Sequence, residues 1–132
     1  MIQRFFIPVK FPSLNDYIAA MNSNRHLGNA MKRDYTDSVA LLTRSKGRLV
    51  KHPVTIDFIW YEENSKRDPD NIIFAKKFIL DGLVEAGILP NDTQAWIFGF
   101  TDTWLAKPPK NIKIIILPEL KIGVEVTIKE IL

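Results

Sequence analysis

The sequence predicts an α+β fold: a mixed β-sheet with two main helices packed on one face, in a single domain spanning residues 1–132. Three observations predict it. Val54 to Glu62 alternates apolar and polar residues with the period of a half-buried strand. Residues from about Ala30 to Leu49, and again from about Asn71 to Ala86, carry apolar side chains at helical spacing. The order strand, helix, strand, helix and then strands lays helices against one side of a sheet.

In chain order, Ile2 to Val9 is apolar and β-branched enough for a strand, and Pro8 and Pro12 close it. SLNDY follows as a loop or a short helical turn. Asn22 to Asn29 is polar, contains a glycine and is expected to be mobile. In the first main helix, Met31, Tyr35, Val39, Leu42 and Leu49 share a face. In the strand after it, Val54, Ile56, Phe58 and Trp60 point one way and Thr55, Asp57 and Tyr61 the other. The second main helix ends at Gly87. Gln94 to Leu105 is aromatic and β-prone, with Trp96, Phe98, Phe100 and Trp104 on one side and a bulge expected at Gly99. Pro108 and Pro109 break the chain. Two more strands are expected, about Ile112 to Leu117 and about Ile122 to Ile131.

Composition narrows the function classes. Hydrophobic residues make up 46% and charged residues 25%, which is the balance of a folded, water-soluble chain. There is no cysteine, so disulfides and thiolate zinc sites are excluded. The opening MIQRFFIPVKF is too short and too interrupted for a signal peptide. No apolar run reaches the roughly 20 residues of a membrane span. The expectation is a cytoplasmic protein. A net charge of +3 and a pI near 9.2 lean slightly towards a polyanionic partner.

The stretch KRDPDN, Lys66 to Asn71, holds the chemistry. Asp and Asn commonly precede helices because they accept the free amide protons of the first turn, and Asp70 is a good N-cap candidate. A sharper reading gathers Asp68 and Asp70 on a hard cation. Residues i and i+2 of an extended segment face the same side, and Pro69 favours an extended Asp68. Mg²⁺ takes oxygen ligands, usually one or two carboxylates with water and substrate phosphate. Asp92, in LPNDTQ, joins them only if the chain doubles back after Gly87. Asp81 shares the helix face of Asp70 but stands roughly 16 Å along the axis, too far for the same ion; with Glu85 it reads as an acidic edge. Lys77 is on that face roughly 10 Å along. Lys76 points among Ile72, Ile73, Ile79 and Leu83, where a lysine has no obvious reason to be. His26 reads as a loop residue and His52 as a strand-edge residue.

The run KRDPDNIIFAKKFILDGLVEAGILPNDTQ resembles the RusA-type crossover-junction endodeoxyribonucleases, often carried by phages and prophages. The shared pattern is a D-x-D-N element, a helix bearing a lysine and an aspartate, and an Asn/Asp-Asp turn. IPVKFPSLNDY resembles the family's opening strand and turn, and VEVTIKEI its final strand. The resemblance implies a homodimeric, Mg²⁺-dependent nuclease, with Mn²⁺ as a substitute, that resolves four-way DNA junctions without an organic cofactor. It implies Asp68, Asp70 and Asp92 as catalytic, metal-binding carboxylates and Lys77 as the active-site lysine, with Asn71, Lys76 and Asp81 in support. The spacing from DPDN to the lysine is about three residues longer than in the best-known members, so Lys76 and Lys77 both stay open for that role. The turn is Asn91-Asp92, one acid fewer than in some members. PPKNIKIIILPEL, over residues 108–120, has no clear counterpart.

Arg25, Lys32, Arg33, Lys66 and Arg67 are candidate phosphate contacts. Each also reads as a solvated surface charge. Three alternatives stand beside the junction nuclease: a basic DNA-binding module without catalysis, a nuclease for other branched DNA, and an interaction protein in which DPDN only caps a helix.

Overall fold

The computed structural model describes residues 1–106 and 122–131. Among these, β1 (Ile2–Ile7), β2 (Val54–Glu62), β3 (Ile97–Ala106) and β4 (Gly123–Glu130) form one mixed sheet in the order β1-β4-β2-β3. The α+β class is as the sequence predicts. β2 runs parallel to β3 and antiparallel to β4, and β4 runs antiparallel to β1. Parallel neighbours cannot be joined by a hairpin, so the chain leaves the sheet between them. One crossover, from β1 to β2, carries α1 (Leu14–Ser23) and α2 (Arg25–Arg44). The next, from β2 to β3, carries α3 (Pro69–Ile73) and α4 (Lys76–Glu85). Both advance across the sheet in the same direction, so a common hand lays both helix pairs on the same face.

The core lies between that face and the helices. Ile56, Phe58 and Trp60 of β2, Val124, Val126 and Ile128 of β4, and Phe5 and Ile7 of β1 are buried with Val39 of α2 and Phe78, Ile79 and Leu83 of α4. The helices meet at Gly82. A methyl placed there would lie 2.5 Å from Val39 Cβ and 2.9 Å from the Thr36 carbonyl oxygen, so only a hydrogen fits. Gly87, with φ +77°, ends α4 as expected. The Ile88 amide reaches the Leu83 carbonyl at 3.0 Å and the Gly87 amide the Val84 carbonyl at 3.1 Å, closing the last turn.

Several boundaries differ from the sequence reading. SLNDY is the N-cap and the first four residues of a ten-residue helix, because Ser13 and Asp16 form a capping box: the Asp16 amide donates to Ser13 Oγ and the Ser13 amide to Asp16 Oδ2, both at 3.0 Å. The Asn22–Asn29 segment is no loop. Only Asn24 breaks the helices, and its side chain caps α2 by accepting the His26 amide at 2.8 Å, so His26 is helical. α2 therefore begins and ends five residues before the expected limits, and Leu49 lies beyond it, exposed. β2 has the expected limits and β4 nearly so. β3 starts at Ile97 and skips one residue in register: Val54 faces Ile97 while Thr55 faces Gly99, which puts the bulge at Phe98, beside the expected position. Among the described residues β3 lies at the edge of the sheet, and Phe98, Phe100 and Trp104 are exposed. The strand expected over residues 112–117 lies outside the described residues.

The open face of the sheet is held by polar pairs. Asp57 accepts from Lys129 Nζ at 2.7 Å and from the Thr101 hydroxyl at 2.6 Å. The lysine hydrogen bond, followed by the hydroxyl, holds the Asp57 carboxyl below the usual carboxylate range.

Two outcomes follow from this packing. Gly82→Ala is expected to destabilise the fold by about 1–3 kcal/mol in urea unfolding, because overpacking exceeds the roughly 1 kcal/mol that alanine gains in a helix. An unchanged midpoint would show that α2 and α4 have room to part. The lowered Asp57 pKa gives stability that is complete above the unfolded-state value, about 4, and is lost as pH falls through the folded value. Asp57→Asn should flatten the acid limb of a stability–pH curve below about pH 4.

Candidate active site on the β2–β3 crossover

Every element of the KRDPDN-to-Asp92 pattern lies on the second crossover. At its entrance Arg67 is fixed. Its Nε and one terminal nitrogen donate to the two Glu62 carboxylate oxygens at 2.9 and 3.3 Å, and the other terminal nitrogen donates to the Phe11 carbonyl at 2.8 Å. Arg67, expected to hold phosphate, braces the end of β2 against the turn before α1. Lys66 beside it is exposed.

The N-cap of α3 is Asp68, not Asp70, because Pro69 takes the first helical position, where its missing N–H costs nothing. The Asp68 side chain makes no capping hydrogen bond. Asp70 lies in the first turn. Both acids are exposed, and neither side chain has a hydrogen bond or ion pair among the described residues. Asn71 Oδ1 accepts the Asn15 amide at 3.2 Å and so ties α3 to α1.

The expected single helix is two. Between Ile73 and Lys76 the Lys77 amide reaches Phe74 O at 3.2 Å and the Phe78 amide Ala75 O at 3.0 Å, the spacing of a 3₁₀ turn. Ala75 is fully buried, and Phe74 packs on Tyr17 at 5.3 Å and Phe78 at 5.5 Å. A 3₁₀ turn rotates about 120° per residue against 100° in an α-helix, so the two adjacent lysines leave it in directions that a straight helix does not give.

Those directions separate their roles. Lys76 Nζ lies 2.7 Å from Asp102 Oδ2, over the rings of Phe58 and Phe100 at 5.0 and 4.3 Å. Asp102 also accepts from Trp60 Nε1 at 3.0 Å. Lys76 thus ties α4 to β2 and β3, which explains a lysine among apolar neighbours. Asp102 was not singled out in the sequence; the only sign of it is an acid on the aromatic side of a strand. Lys77 turns the other way. Its Nζ lies 3.2 Å from Asp81 and 3.7 Å from Asp92, and Lys32 Nζ of α2 lies 3.9 Å from Asp81. The chain after Gly87 does double back, as far as the middle of α4. There Lys32, Asp81, Lys77 and Asp92 form a line of alternating charge.

A cleft of about 450 Å³ opens beside this line, between α2 and α4. Asn29, Lys32, Arg33 and Asp37 form one wall, and Asp81, Glu85 and Asp92 the other. Arg25 is exposed in the first turn of α2. Asp68 lies elsewhere, in a groove with Glu62, Pro69 and Trp104.

The oxygen donors here suit a hard cation. Their grouping does not complete the expected set: among the described residues no three histidine or acidic side chains are close enough to hold a metal ion, so Asp68, Asp70 and Asp92 are not assembled on one centre. Asp92 meets Asp81 instead, across the Lys77 ammonium. No protein-family model matches the chain, and no curated protein matches it.

The two lysines should behave differently. Lys76→Met leaves Asp102 half-buried without its cation and should cost about 1–3 kcal/mol in thermal unfolding. Lys77→Met removes exposed pairs worth about 0–1 kcal/mol and should leave stability near that of the parent. Equal losses would contradict the division of roles.

Proposed function

We propose that this chain is an endodeoxyribonuclease of branched DNA, with the four-way junction as substrate and Mg²⁺ or Mn²⁺ as cofactor. The observation that carries the reading is the contact between Lys77 and Asp92. It brings the last element of the D-x-D-N, lysine and Asp pattern back to the middle one. The carboxylates of Asp68 and Asp70, which have no partner among the described residues, support it too, since an acid that caps no helix and pairs with no cation there is open to a ligand.

The proposed roles follow from chemistry. Lys77, held by Asp81 and Asp92, turns its ammonium to the phosphate oxygens where negative charge grows. Lys32 and Arg33, on the facing wall of the cleft, hold flanking phosphates. Asp92 beside Lys77, and Asp68 and Asp70 at the start of the crossover, are carboxylates that could each take a hard cation, at separate places and not as one gathered centre. When bound, it would acidify a water and offset phosphate charge. Lys76 keeps α4 against the sheet and takes no part in chemistry. A two-fold dimer would present two such sites to the two-fold symmetric junction.

A second reading, a DNA-binding module without catalysis, draws on the ungathered acids. The two part on one assay. Asp70→Asn and Asp92→Asn should each lower junction cleavage in Mg²⁺ by about 100-fold or more, with junction affinity retained. A parent chain that binds the junction tightly and never cuts it would replace the nuclease reading with the second one. Asp81→Asn, tested alongside, shows whether the acid across Lys77 takes part.

A further inference from the structure

The basic residues assigned so far leave out the densest basic stretch of the chain. From Ser38 to Ile56 there is no acid, yet Arg44, Lys46, Arg48, Lys51 and His52 all fall there. Its four full positive charges exceed the +3 net charge of the whole chain. All five residues are exposed.

The backbone carrying them is fixed. Gln3 brackets Arg48 on both sides: its Nε2 donates to the Arg48 carbonyl and its Oε1 accepts the Arg48 amide, each at 2.8 Å. The Val50 amide reaches Ile88 O at 2.9 Å, and the Lys51 amide reaches Glu130 Oε1 at 2.6 Å. Of the charged ends, Arg48 reaches Met1 Sδ at 3.0 Å, and three others are free by comparison. The side chains of Arg44, Lys46 and Lys51 have no ion pair or hydrogen bond among the described residues. Glu130 is already engaged with the Met1 ammonium at 3.7 Å. Asp37 and Glu85 share a shallow groove with Arg44 without pairing with it. A merely solvated face needs no such concentration of one sign, which repels itself.

The run also continues the cleft. Arg33 and Arg44 are eleven residues apart, about three turns, so both lie on one outer face of α2, roughly 16 Å apart. We infer that this face and the 44–52 loop form a second phosphate-binding track, which takes a duplex DNA arm leading away from the cleft. The inference rests on the nucleic-acid part of the proposed function, not on cleavage. A preset row of cations binds a polyanion with little loss of backbone entropy. An anionic lipid surface fits less well, because the exposed large apolar residues of the track are two separate leucines, Leu41 and Leu49, and surface-lying segments need a broad apolar face.

The test is the triple variant Arg44→Gln, Lys46→Gln, Lys51→Gln, titrated with a blunt duplex and with a four-way junction across a range of salt. If the track holds phosphates, the slope of log affinity against log salt becomes shallower by about 3, and cleavage at saturating junction is kept. An unchanged slope overturns the inference, and so does binding to phosphatidylserine vesicles without binding to duplex. The single variants Lys46→Gln and Lys51→Gln, each expected to take about 0.9 from the slope, decide the matter should the triple variant misfold. The two proposals fail separately. A parent chain that never cuts, with a triple variant that still loses slope, removes the nuclease and keeps the track. A cutting parent with an unaffected slope does the reverse.

Discussion

The parallel pairing of β2 with β3 is the constraint on which the rest of the molecule hangs. Two parallel neighbours force the chain out of the sheet at Glu62 and back to its other end at Ile97. The DPDN acids, Lys77, Asp81 and Asp92 of the candidate site all lie on that detour, against a wall supplied by α2. Its acids therefore start apart, Asp68 and Asp70 where β2 ends and Asp92 just before β3 begins. The helical stretch from Pro69 to Glu85 would span roughly 25 Å if straight. Only the return of the chain after Gly87 shortens that gap, and it stops beside Lys77. The same topology that makes the sheet thus explains why the carboxylates are not gathered on one point.

What holds the detour in place is distinct from what it displays. Arg67 braces its entrance, Lys76 and Asp102 bind its middle to the sheet, and Gly82 lets α4 lie close on α2. These groups face inward or are fully engaged. Asp68, Asp70, Lys77 and Asp92 stand on the outside of that frame. The division weakens the account of DPDN as a mere helix cap, since the residue in the N-cap position does not use its carboxylate there. It also shows how two adjacent lysines come to opposite duties: one tight turn rotates α4 relative to α3.

The charge pattern is equally divided. Near Lys77 positive and negative groups alternate along a line, so the local field is small and a ligand must compete with internal pairs. From Ser38 through the loop that follows α2 the chain's own charge is of one sign, on a backbone held by Gln3 and Glu130. Affinity for a polyanion is therefore expected from the second region and selectivity of contact from the first.

The sequence by itself determined the parts governed by short-range rules. Strand β2 and its buried face were legible from alternation, β4 nearly so, and the stop at Gly87 from the glycine. The α1 helix was legible in principle, through Ser13 and Asp16, but a two-residue capping signal is weak beside the polar run that follows. The sequence also marked Asp68, Asp70, Lys77 and Asp92 as a pattern. Only the tertiary structure decided which of these meet, because contacts between residues far apart in the chain depend on the crossover path and on a turn whose tightness no local periodicity reveals. It decided that Asp92 faces Asp81 and Lys77, that Arg67 braces the end of β2, and that Phe98, Phe100 and Trp104 stay exposed on a strand at the edge of the described sheet, since a strand's position in a sheet is a property of the whole topology.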